Sequence, residues 1–470
     1  MSTAIYLKRE IINKLPGEPT KDQKTAIEEL AKFVVSTDNE SVFLLKGYAG
    51  TGKTTVLAAL IKVLLKHEIS VELLAPTGRA AKIMTQMSGY KATTIHRRIY
   101  RARDPKKPFT DFVLNREPAR DTIFIVDEAS MLGNKTEGRS IFGSGMLLDD
   151  LMEYVYQISK RSKLIFSGDI AQLPPISMGF SPAMDIAYMQ KYGLNIVEVQ
   201  MKEILRQTKD SGILYNATVL RNFIDNQQVD IPKFSINYPD FEAIMGEDLI
   251  EKITESYAEN GVDQTLVITY SNKRANLYNE GIRKYIFQKE EKITTEENLM
   301  IVKNNYFWSQ MYNLPFIANG DVAIISQIID YQDFYDLSFA DVELYFPDYD
   351  FFIETKILLD SLSINQAAMP YEVMHQLYKK LEEEYSDITD KRKRMEKIRN
   401  NKFFNALQVK YAYAITCHKA QGGQWRTVFI DQGFFNPNAI SLEYLRWLYT
   451  AITRATDKVY LVNFHKSFFQ

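Results

Sequence analysis

Short apolar runs alternate with longer stretches whose apolar positions recur every three or four residues. "SVFLLKG" (41–47), "VELLAPT" (71–77), "TIFIVDE" (122–128) and "SKLIFSGD" (162–169) are strand-like, and each ends in small or acidic residues. "TTVLAALIKVLLKH" (54–67) has the spacing of a buried helix. Apolar strands separated by helices predict an open parallel sheet, with its active groups beyond the strands' carboxyl ends. A second alternating region starts near Val199, with strands in "TLVITYSN" (265–272), "RTVFID" (426–431) and "KVYLVNF" (458–464). The pattern predicts an α/β protein of two parallel-sheet lobes, 1–198 and 199–300 with 403–470.

Two stretches break the alternation. Residues 97–120 interrupt the first lobe, and "RDPKKP" supplies the turn residues of a β-hairpin. Residues 301–402 form an insertion in the second lobe. There "NGDVAIISQII" (319–329) alternates like a small β unit, and 370–407 reads as a charged helical hairpin or one long helix. Within that helical part, "KRKRMEKIR" (391–399) reads as a solvated face. The Gly/Ser-rich segment 133–145 reads as a mobile loop.

Composition narrows the class. The chain has 470 residues, 46% hydrophobic and 25% charged, enough for several cores. A net charge of -2 excludes a uniformly basic coat, so any nucleic-acid site is a local cluster. The single Cys417 excludes an intrachain disulfide and a cysteine-rich zinc site. No secretory leader or apolar stretch of about 18 residues is visible, so a cytoplasmic protein without a membrane span is expected.

The chemistry begins at "GYAGTGKTT", Gly47 to Thr55, which fits G-x-x-x-x-G-K-[ST] between a strand and a helix. In that pattern backbone N–H groups of Gly47, Gly50, Thr51, Gly52 and Thr55 surround phosphate oxygens. Lys53 meets the β and γ phosphates, and Thr54 ligates Mg²⁺. In "VDEAS", Asp127 is placed to hold the Mg²⁺ through water and Glu128 to orient or deprotonate the attacking water. In "SGDIAQLPPI" (167–176), Asp169 and Gln172 fall where a γ-phosphate is sensed. These features predict an ATPase using ATP and Mg²⁺.

The order of motifs resembles superfamily 1 helicases, and among them the RecD/Dda-like 1B branch. "KDQKTAI" (21–27) is similar to the Q-motif, which implies that Gln23 reads adenine. "GYAGTGKTT", "APTGRAAK" (75–82), "VDEAS" and "GDIAQLPPI" follow in family order. "EILRQT" (203–208), "ITCHKAQGGQW" (415–425) and "LYTAITRATDKV" (448–459) resemble the motifs of the second lobe.

The resemblance implies RecA-like lobes, a hairpin wedge at 97–120 and an SH3-like unit in 301–402. It implies nucleotide contacts from Gly422 and Gln424; Gln424 stands where many relatives carry an acid. Arg206 and Arg454, supplied from the second lobe, are expected to act as arginine fingers. Pro76, Thr77, Arg79, Thr94, His96, Thr416 and His418 are the expected DNA contacts. Phe109 and Phe112 are expected to stack on a fork base pair, with packing of the hairpin on its own lobe as the alternative. The function implied is a monomeric DNA helicase moving on single-stranded DNA, 5′→3′, at duplex forks, with replication or recombination proteins as partners. Two alternatives stand beside it: a nucleic-acid translocase without unwinding, and a nucleotide-switched binding module.

Overall fold

The computed structural model describes residues 3–103, 112–135, 142–159, 161–176, 178–204, 211–312, 317–436 and 440–469. Its strands in chain order are β1 (Ser41–Gly47), β2 (Val71–Ala75), β3 (Ala92–Thr94), β4 (Tyr100–Ala102), β5 (Phe112–Leu114), β6 (Ile123–Val126), β7 (Lys163–Gly168), β8 (Asn195–Met201) and β9 (Phe241–Ile244). They continue as β10 (Thr265–Thr269), β11 (Asn298–Ile301), β12 (Val322–Phe334), β13 (Leu337–Phe346), β14 (Phe351–Leu358), β15 (Leu407–Tyr411), β16 (Ala414–Thr416), β17 (Trp425–Asp431) and β18 (Ala455–Val462).

Six strands form the first sheet in the order β3-β2-β6-β7-β1-β8, all parallel. Both faces are covered, so β1, β6 and β7 are buried at every position, as their unbroken apolar runs require. The second lobe is a parallel sheet in the order β16-β10-β17-β18-β9. The two-lobe α/β expectation is met. Val199, expected to open the second lobe, lies instead in β8, which pairs with β1 along its whole length.

The second insertion is a closed barrel of β11 to β15. It begins at Asn298 and closes through Leu407–Tyr411, outside the 301–402 limits expected. The reason is long-range pairing: β11 is antiparallel to both β12 and β15, and β14 meets β15 in parallel. The helices Tyr371–Glu384 and Lys391–Arg399 form a hairpin. Leu377, Leu381 and Ile398 pack it on Leu337, Phe339 and Leu358 of the barrel.

The first insertion pairs β4 with β5 as an antiparallel hairpin. Phe109 lies outside the described residues, as does 136–141 of the expected 133–145 loop. Phe112 is described and is buried at 6% exposure, among Phe142 and Tyr306 with ring centroids 4.9 and 5.0 Å away. The expectation that its ring stacks on a fork base pair is therefore corrected: an enclosed ring has no free face, and it packs between Phe142 of its own lobe and Tyr306 of the second-lobe insertion.

Among the described residues, no helix is long and apolar enough to cross a membrane.

Candidate functional site

The phosphate loop leaves β1 and enters the Lys53–Lys66 helix through Gly52, whose φ of 81° suits glycine. Gly50 is left-handed as well, and a Cβ there would come within 2.8 Å of Leu214 on the Gly212–Asp225 helix. The second lobe therefore rests directly on the loop. Lys53 Nζ donates to the carbonyls of Gly47 at 2.7 Å and Tyr48 at 3.1 Å, which keeps the ammonium inside the loop's curve. Thr51 is fully buried, and its carbonyl accepts from Gln23 Nε2 at 3.0 Å.

Gln23 also closes the capping box of the Lys21–Val35 helix with Thr20, so its amide is fixed by local sequence. It lines a cavity of about 680 Å³ with Leu15 to Lys21, Lys24, Thr55 and Glu203. This cavity lies beside the loop on the first lobe.

Asp127 and Glu128 follow β6. Thr54 Oγ1 lies 3.3 Å from Asp127 Oδ2, so a hydroxyl and a carboxylate share one edge of the loop. Ser167 Oγ and the Glu128 N–H donate to Asp127 Oδ1 at 2.8 and 3.0 Å, holding the carboxylate in place. A hydroxyl and an ionised carboxylate are the hard oxygen donors that Mg²⁺ accepts alongside water and phosphate, so these residues fit that ion.

Glu128 has φ 53°, a conformation that costs a non-glycine residue about 1–3 kcal/mol and that turns its side chain out of the strand line. Enclosure raises its pKa, while the charges of Arg454 and Lys53 pull it down. Arg454, from the second lobe, is the first of the charges that pull the Glu128 carboxyl down. Arg454 is 3% exposed, and its guanidinium is fixed by the carbonyls of Thr450 and Gly423, each at 3.1 Å. Arg206 lies outside the described residues. Gln172 is buried and lines a cavity of about 210 Å³ with Ser130, Asp169, Ser181 and Arg446; its Oε1 has no hydrogen-bond partner.

A separate cleft of about 560 Å³ opens between the lobes. Arg79 and Lys82 line it from the first lobe, Ile415, Gln424 and Trp425 from the second, and Met300 and Asp348 from the barrel. Gly422 packs against Thr77 and Ala80, and its φ of 72° lets the chain turn there. Gln424 lines this cleft beside Arg79, and the Gly423 carbonyl between Gly422 and Gln424 accepts from Arg454 at 3.1 Å, so this turn touches both the cleft and Arg454.

The expected DNA contacts sit at corresponding edges of the two sheets. Ala75, just before Pro76, pairs with Thr94, and Thr416 pairs with Thr269. Thr77 caps the Gly78–Ser88 helix by accepting from Ala80 N–H at 3.2 Å. Arg79 stacks over the Trp425 ring at 3.8 Å, spanning the two lobes.

Two of these expectations are corrected. Thr94 is buried at 4% and its hydroxyl caps the Ile95–Ile99 helix, accepting from Arg97 N–H, so it offers little to a phosphate. His96 lies against the rings of Tyr100 and Phe142, and burial lowers its pKa to about 4. It is neutral near pH 7, without the charge that attracts phosphate. His418 is likewise pushed down by burial.

The barrel reaches the same edge. Lys82 pairs with Asp348 at 3.1 Å, Tyr349 donates to Asp321 at 2.8 Å, and Arg97 stacks over the Tyr349 ring at 4.1 Å. Sequence reading missed these contacts, and it missed Ser167 and Trp425 as partners of the site. Trp425, Ser167 and Lys82 each carried a signal, standing at an end of "ITCHKAQGGQW", "SGDIAQLPPI" and "APTGRAAK".

Family models match a stretch in each lobe. A family model described as "AAA domain" matches residues 18–222, and one described as "UvrD-like helicase C-terminal domain" matches 411–462. The uncharacterized protein MJ1519 of Methanocaldococcus jannaschii is 26% identical over 96% of this chain and 39% of its own length. The ATP-dependent RecD2 DNA helicase of Deinococcus radiodurans is 26% identical over 42% of this chain and 24% of its own. This chain thus spans less than half of either relative. Among solved structures, Pif1 helicase from Bacteroides in complex with ADP-AlF3 and ssDNA is 17% identical, with a TM-score of 0.45 over 96% of this chain and 94% of that one.

Proposed function

We propose that this chain, whose fold is the superfamily 1 helicase fold of the RecD/Dda type, is an ATP- and Mg²⁺-dependent DNA motor that moves on single-stranded DNA and opens duplexes. The observation that carries the reading is the covering of the phosphate loop by the second lobe, where Leu214 meets Gly50 and the Ala49 N–H donates to Tyr449 at 2.9 Å. A site completed only when two lobes meet changes their spacing as its substrate is consumed.

Thr54 and Asp127 are the residues that would hold Mg²⁺, which supplies positive charge to the β and γ oxygens when bound. Lys53 neutralises the same oxygens from within the loop. Glu128 orients the attacking water and takes its proton, and Arg454 stabilises the charge on the transferring phosphoryl. Gln23 and Thr55 border the space for the base and sugar.

On the other side, Pro76, Thr77, Arg79, Thr416 and His418 provide a grip of hydroxyl, imidazole and backbone groups. Such contacts position a strand without reading its sequence. Movement runs 5′→3′ as the family resemblance implies.

Single-stranded DNA should therefore stimulate ATP hydrolysis, with binding that depends on salt and little on base composition. Each phosphate neutralised by a cationic side chain such as Arg79 contributes about −0.7 to the log–log salt slope. Titrating homopolymers of different base at several salt concentrations while following hydrolysis tests this. Absence of stimulation would point to a nucleotide-switched binding module; stimulation without strand displacement would point to a translocase.

A further inference from the structure

Tyr449 lies on the face of the Leu442–Ile452 helix that meets the first lobe. Arg446, Tyr449 and Thr450 are three and four residues apart, so they share that face. Arg446 Nη1 donates to the Gly179 carbonyl at 3.1 Å, and Thr450 Oγ1 accepts from Leu173 N–H at 2.8 Å. Tyr449 is 1% exposed and uses its hydroxyl twice. It accepts from Ala49 N–H in the phosphate loop at 2.9 Å and donates to Asp169 Oδ2 at 2.6 Å. The other Asp169 oxygen accepts from Ala171 N–H at 3.0 Å. One hydroxyl from the second lobe thus joins two parts of the ATP site that belong to the first.

We propose that Tyr449 is a positioning residue: its hydroxyl ties the phosphate loop to Asp169 when the lobes close, and so sets where Arg454 stands over Glu128. The inference rests on the ATP-driven motor reading. Arg454 follows Tyr449 by five residues and is anchored to the Thr450 carbonyl of the same helix, so a shift at the hydroxyl is carried to the guanidinium. Separating the lobes breaks both Tyr449 bonds at once. The bridge is therefore a property of the contact between the lobes and not of either lobe alone. Burial and the neighbouring Asp169 raise the phenol's pKa well above its ordinary value, so the group remains a donor throughout the working pH range.

Tyr449→Phe removes the hydroxyl and keeps the ring. Leaving a buried N–H and a carboxylate oxygen without their partner predicts a DNA-stimulated kcat lower by about tenfold to a hundredfold. The KM for ATP should stay within about threefold, because nucleotide contacts on the first lobe remain, and the pH profile should keep its shape. Asp169→Asn retains an oxygen to accept from Tyr449 and should cost less. In the double variant the losses should be smaller than the product of the single ones, as expected for one interacting unit.

The inference is overturned if Tyr449→Phe turns over ATP within about twofold of wild type, if the losses multiply, or if the variant has no cooperative melting transition. The last outcome would mean that the hydroxyl is needed to fold a lobe. Wild-type protein without DNA-stimulated hydrolysis would instead overturn the motor reading itself, so the two failures are distinguishable.

Discussion

Lys53→Ala removes ATP turnover to background while leaving single-strand DNA binding close to wild type. The ammonium sits inside the loop, 2.7 Å from the Gly47 carbonyl and 3.1 Å from that of Tyr48, where a bound triphosphate would meet it. Alanine takes that charge from the β and γ oxygens, and no other lysine is hydrogen-bonded to the loop's carbonyls among the described residues. The proposed strand grip of Pro76, Thr77, Arg79, Thr416 and His418 has no residue in common with the Gln23 and Thr55 cavity, so binding survives. Hydrolysis in a phosphate-release assay and affinity for a labelled oligonucleotide, measured on one preparation, check both halves. DNA-stimulated turnover surviving in the variant would mean that this loop is not the one that handles the triphosphate.

Arg454→Ala lowers DNA-stimulated turnover by at least about 10³, the lower end of what an arginine finger contributes. It also changes the pH dependence of the activity that remains. Enclosure and Asp127 raise the Glu128 pKa, and Arg454 is first among the groups that lower it. Removing a positive charge favours the protonated carboxyl, so Glu128 holds its proton to higher pH and the acid limb of the rate profile moves upward. Nucleotide binding is retained, because Lys53, Thr54 and Asp127 belong to the first lobe. A pH–rate profile beside equilibrium nucleotide binding tests the assignment. A rate near wild type, or a large loss with an unmoved acid limb, would separate Arg454 from Glu128.

What could be read from the chain alone follows the range of the contacts involved. The phosphate loop is contiguous: its glycines, Lys53 and Thr54 act within nine residues, and the preceding apolar run forces β1 into the buried sheet. Asp127 and Glu128 end a strand of the same kind, so their place beyond its carboxyl end was legible too.

Phe112 was legible as part of a hairpin but not as a buried ring, because Phe142 and Tyr306 cover it from distant segments. The barrel limits failed for a similar reason. Asn298–Ile301 and Leu407–Tyr411 are short apolar runs like those of the lobes, and only their pairing assigns them to the barrel. The packing of Gly422 on Thr77 and Ala80 was not legible either, because those residues lie in the other lobe. Tyr449 carried no separate signal. Its partners, Asp169 and Ala49, lie 280 and 400 residues away in the chain.

The central claim is that hydrolysis drives directed movement along one strand and that this movement opens base pairs. It is tested most directly by strand displacement on two duplexes of identical sequence, one with a 5′ single-stranded tail and one with a 3′ tail, at equal enzyme concentration with ATP and Mg²⁺. The account predicts that the 5′-tailed duplex is unwound and the 3′-tailed one is not, with neither opened by Lys53→Ala protein. Efficient hydrolysis on both substrates with neither strand displaced, or displacement from the 3′ tail alone, would contradict it.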